Sequence, residues 1–84
     1  MQTQIYNEIY NDVRTYVIRY NDYRKSAYHS SYAYDTCISV MNSLNTFIEF
    51  VKKYLQYNIK IQTSNDGNQY TPDEIIGFSI TKLQ

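Results

Sequence analysis

Tryptophan is absent from this chain of 84 residues, histidine, proline and cysteine occur once each, glycine twice and leucine three times. Each scarcity excludes something. The lone Cys37 cannot close a disulfide within the chain, and it lies in an apolar periodic stretch. It reads as a buried small hydrophobe in a reducing compartment. One His and one Cys cannot build a zinc site, and no EF-hand-like run of aspartates is present. Asn65-Asp66-Gly67-Asn68 lacks the ligand spacing and terminal Glu of a calcium loop and reads as a turn. With only Gly67 and Gly77, neither a GxGxxG nor a GxxxxGK[ST] phosphate cradle exists. His29 has no carboxylate at helical contact spacing, so it reads as a hinge or surface residue rather than a general base. Along one helix it would stand about 12 Å from Cys37, too far for a Cys–His nucleophile pair. No catalytic residue, metal or cofactor is expected. The chain does not read as an enzyme.

Charge of one sign is missing too. Eight Lys and Arg balance eight Asp and Glu, for a formal net charge of +0. The broad attraction of a basic domain to nucleic acid or to anionic membrane is therefore absent. Arg14, Arg19, Arg24 and Lys25 are interleaved with Glu8, Asp12 and Asp22, and the arginines spiral around a helix instead of forming a stripe. Direct nucleic-acid binding is disfavoured, although Tyr and Arg do stack on bases. The longest uncharged run, between Asp35 and Glu49, is too short and too polar to cross a bilayer. Met1-Gln2-Thr3-Gln4 lacks the basic start and apolar run of a signal peptide. A cytoplasmic protein with no membrane partner is the expectation.

What is present is period. Steps of three and four from Tyr6 reach Ile9, Val13, Tyr16, Tyr20, Tyr23, Ala27, Ser30, Tyr34, Cys37, Met41, Leu44, Ile48, Val51 and Leu55. Only Ser30 is polar, and neither Gly nor Pro occurs before Gly67. That spacing predicts helix. One unbroken helix would be about 80 Å long and would need a coiled-coil partner to cover its stripe. A break near His29-Ser30-Ser31 instead folds it into an antiparallel hairpin. The hairpin is favoured, because Ser30 or Ser31 can cap a second helix. Beyond that point Ala33, Val40, Phe47 and Tyr54 widen the stripe, as in a core-facing helix. The predicted helices cover residues 4–28 and 31–57.

After Tyr57 the period changes to two. Residues 58–63 and 78–83 alternate as strands, with a turn cluster at Ser64-Asn65-Asp66-Gly67-Asn68. Thr71-Pro72-Asp73-Glu74 has the form of a capping box, which predicts a short helical turn over 72–76 ended by Gly77. The fold class is α+β: a long helical hairpin (or one long helix), then a two-stranded antiparallel ribbon with a helical turn between its strands. Ile59, Ile61, Phe78 and Ile80 should rest on the helices, since a ribbon alone is barely stable. A chain of this length forms one domain with a small core.

Eleven tyrosines are the unusual feature. A Tyr hydroxyl needs a partner or water, so a Tyr-lined seam suggests a wet or partly exposed face. Tyr10 with Arg14, Tyr20 with Arg24, and Tyr28 with Tyr32 are i,i+4 pairs that can share one surface. Tyr and Arg are enriched at binding hot spots. These six residues are the candidate partner-binding set. They point to a non-enzymatic protein-binding module. Asn- and Tyr-rich, Gly-poor small chains are common among phage and mobile-element proteins that block host machinery. An inhibitor of a host nuclease, defence complex or other nucleoprotein complex is therefore the sharpest expectation. The alternatives are a self-assembling coiled-coil protein, with a homodimer through the heptad seam, and a DNA-binding regulator.

Overall fold

A computed structural model describes residues 2–84, and the apolar stripe closes within one chain. Helix α1 spans Gln2–Ser26 and helix α2 spans Ser31–Phe50. They pack side by side as a hairpin. The turn between them is tightened by short backbone bonds, from the Ala27 N–H to the Arg24 carbonyl and from the His29 N–H to the Ser26 carbonyl, each 3.1 Å. Ser30, the one polar position in the seam, has extended backbone (φ −152°, ψ 120°), and its Oγ accepts from the Ala33 N–H at 3.2 Å. This N-cap satisfies a donor that the first turn of α2 would otherwise leave free.

The second helix ends differently from its predicted limit at residue 57. Residues Val51–Leu55 form a single π-helical turn, and Gln56 takes a left-handed conformation (φ 62°, ψ 42°). The Gln56 side chain donates to the Lys52 and Lys53 carbonyls at 3.3 and 3.1 Å, so a non-glycine residue terminates the helix by capping it itself. A π turn advances fewer degrees per residue than an α turn. Tyr54 therefore lags behind the position its heptad spacing predicts and is exposed, not part of the seam's flank.

Strands β1 (Tyr57–Ser64) and β2 (Glu74–Lys82) pair antiparallel, with Ile59 opposite Ile80 and Ile61 opposite Phe78. The predicted helical turn over 72–76 does not form. Glu74, Ile75 and Ile76 belong to β2, Gly77 pairs with Gln62 inside the ladder, and the Thr71 hydroxyl is buried without a hydrogen-bond partner. Tertiary packing overrides the capping signal for a visible reason. The Pro72 and Asp73 carbonyls are taken by Arg24 and Tyr20 of α1, and both backbone groups of Ile75 are taken by Asn21. Between Gln62 and Thr63 the register shifts: Gln62 faces Gly77 and Thr63 faces Ile75, so Ile76 is an extra residue. This bulge turns Ile75 into the core and leaves Ile76 exposed.

The core is the seam plus one face of the ribbon. Ile9, Val13 and Tyr20 of α1 meet Cys37, Val40 and Leu44 of α2, joined by Val51, Tyr57, Ile59 and Ile75. Phe78, Ile61 and Ile80 are half-buried against it. No helix among the described residues is long and apolar enough to cross a membrane.

Candidate functional site

Of the six candidate binding residues, two are withdrawn into the fold. Tyr20 is only 3% exposed, and its hydroxyl donates to the Asp73 carbonyl at 2.5 Å. Arg24 lies against the loop between the strands: its Nε donates to the Pro72 carbonyl at 2.7 Å, and its Nη2 meets the Asp66 carboxylate at 2.7 Å. The Arg24 side chain is mostly buried, while Asp66 is half-exposed. Tyr20 and Arg24 are thus clamps on the loop, not a stacked surface pair. Sequence spacing placed them together correctly but could not show that a segment about 50 residues downstream would occupy them.

Electrostatics follow from this clamp. The Asn68 backbone N–H and then the Arg24 guanidinium hold the Asp66 carboxyl below its usual range. Burial, aided by the neighbouring Cys37 thiol and Asp73, pushes the Tyr20 phenol up from 10.0 to about 12. Burial also raises the Cys37 thiol, whose Sγ lies 3.5 Å from the Tyr20 carbonyl, so this thiol is a poor nucleophile. A pH prediction comes from Tyr20. The unfolded chain releases this proton near pH 10, whereas the folded chain holds it until about 12. The stability that Tyr20 contributes is whole below pH 10 and is lost as the pH rises through about 12. Denaturant melts across that window should show falling stability, with a flatter decline in Tyr20→Phe.

The other four candidates scatter. Tyr10 packs its ring on Phe78 of β2, 5.1 Å between centroids, rather than on Arg14. Arg14 is exposed and joins no ion pair among the described residues. Tyr32 is 72% exposed and is not among the residues lining the cleft that Tyr28 joins. Tyr28 alone joins a built feature. Its ring meets that of Tyr70 edge-on at 5.6 Å and that of His29 at 4.9 Å. Around them Ala27, Ser30, Ser31, Tyr34 and Gln69 complete an open cleft of about 450 Å³ at the bend of the hairpin.

Two of the cleft's residues, Tyr34 and Tyr70, were not among the six candidates. Tyr34 sat on the predicted seam, but in the first turn of α2, at the bend of the hairpin, it is 41% exposed and lines the cleft. Tyr70 reaches the bend only because residues 65–73 fold back. That loop is organised by its own side chains: Asn65 Oδ1 accepts from the Gly67 N–H, Asp66 Oδ1 from the Asn68 N–H, and Asn68 Oδ1 from the Tyr70 N–H. Gly67, at φ 85°, supplies the left-handed residue this path requires. Asn65 then ties the loop's start to Asp73 at 2.6 Å.

The cleft offers ring faces, hydroxyls and one imidazole. Among the described residues no group of three or more His, Cys, Asp or Glu is placed to hold a metal ion. Its chemistry is that of recognition, namely large aromatic contact with polar tips. No family model, curated protein or solved structure matches this chain.

Proposed function

We propose that this chain is a small non-enzymatic protein-binding module that docks through the aromatic surface at the bend of its helical hairpin. The observation that supports this most is the convergence of Tyr28 and Tyr70, from segments some 40 residues apart, into one contact while staying 54% and 58% exposed. The Asn/Asp loop ends in a bond to the Tyr70 N–H, and Tyr28 lies in the hydrogen-bonded turn just before the Ser30 cap, so both rings are carried by bonded backbone and neither is buried. Aromatic anchors fixed in advance lose little conformational freedom on binding, as hot-spot residues do. The narrower form of the reading is a phage or mobile-element inhibitor of a host nuclease or defence complex, working in a reducing cytoplasm. Its support is the Asn- and Tyr-rich, Gly-poor composition and the single buried, unpaired Cys37.

The test is capture of the tagged chain from a nuclease-treated bacterial lysate, followed by affinity measurements at several salt concentrations. A protein retained in stoichiometric amount, with an affinity that changes little with salt, is the expected result. Loss of all bound material on nuclease treatment, or a steep fall of affinity with salt, would assign the chain to nucleic acid instead. Recovery of the bait alone would also contradict the reading.

A further inference from the structure

The face of the hairpin turned away from the ribbon carries a second aromatic surface, separate from the bend. Asp12, Thr15, Tyr16 and Arg19 of α1 line a groove there with Phe47 of α2. An adjoining depression shares Tyr16 and Phe47 and is closed by Ser43, Thr46 and Phe50. The Tyr16 and Phe47 rings meet at 5.6 Å, and Phe50, half-exposed, stacks at 5.1 Å on the exposed Tyr54. No residue of the ribbon lines either depression. Tyr16, Phe47 and Phe50 thus set three aromatic rings among the polar side chains of Asp12, Thr15, Arg19, Ser43 and Thr46, the mixture of aromatic contact area and polar rim found at binding surfaces.

The charges on this face say what covers it. Asp12 and Arg19 are both exposed, and among the described residues neither pairs with another side chain. They stand about 10 Å apart along α1, at equal distances on either side of the Thr15–Tyr16 peptide. A twofold axis crossing the hairpin at that level lays α1 antiparallel against its own copy. It sets position 12 opposite position 19, twice.

We propose that this face is the contact surface for a second copy of the chain, in an isologous dimer where Asp12 of each copy pairs with Arg19 of the other. The heptad seam takes no part, because Ile9, Val13, Cys37, Leu44 and Val51 are already buried within one chain.

Sedimentation equilibrium of the full chain at tens of micromolar tests this. The wild type should have twice the 10.0 kDa chain mass. D12R and R19D each place like charges opposite one another twice, and each should dimerise at least about tenfold more weakly. An equimolar mixture of the two variants restores both opposite-charge pairs and should recover the dimer. Both positions are exposed, so the helical circular dichroism of each variant should match the wild type. A wild-type chain that stays at monomer mass would overturn the proposal. So would charge variants that dimerise like the wild type, or a mixture that fails to recover.

Discussion

Leu44→Ala should destabilise the fold by about 3 kcal/mol, the range found when a fully enclosed Leu is cut back and its cavity cannot collapse. Leu44 has no exposed surface and stands at the centre of the helix–helix contact, in one cluster with Val13, Cys37 and Val51. Relaxation is restricted from every side, since helices α1 and α2 and the ribbon all close on the same cluster. In a chain this short, each lost kcal/mol lowers the melting temperature by roughly 4–8 °C. A thermal melt followed by circular dichroism would therefore show a displacement of 10 °C or more (on the order of 3 kcal/mol at that rate). A shift under a few degrees would mean that the helices do not pack through this residue.

Asn21→Ala should cost about 2 kcal/mol and should act at a distance in sequence. The Asn21 side chain donates to the Ile75 carbonyl at 2.9 Å and accepts from the Ile75 N–H at 3.1 Å. In this way it does for the outer edge of β2 what a third strand would do. Alanine leaves both backbone groups of a buried residue without partners, which is the expensive way to lose a hydrogen bond. Amide exchange read residue by residue would show Ile75 losing protection, while Lys60 and Ser79, paired in the middle of the ladder, keep theirs. Equal loss across both strands would show that the ribbon opens as one unit and that Asn21 has no local role.

The two helices were legible because their signal is repeated. From Ile9 to Val51 nearly every third or fourth residue agrees, and a single polar interruption at Ser30 marks the bend. Both strands were legible from alternation, and the inward set of Ile59, Ile61, Phe78 and Ile80 is the one that meets the helices. The failure at residues 72–76 has a physical cause. A capping box is worth at most a kcal/mol or two, whereas the extended path buries Ile75 and gives four backbone groups partners on α1. Those partners, Tyr20, Asn21 and Arg24, lie about 50 residues upstream, and no local pattern links the two segments. The same long-range docking removed Tyr20 and Arg24 from the candidate surface and brought Tyr70 to it. Tyr28 stayed exposed because it follows the last full turn of α1, at the point where the seam ends.

These divisions among the tyrosines carry the functional account: Tyr20 and Tyr57 are core, while Tyr28 and Tyr70 are surface fixed in place. The most direct test is a Tyr28→Ser/Tyr70→Ser double substitution, read for complex formation in the nuclease-treated lysate and for thermal unfolding in the same preparation. The account predicts that the stoichiometric complex disappears while the melting temperature moves by only a few degrees. A complex that persists with the fold intact would contradict it.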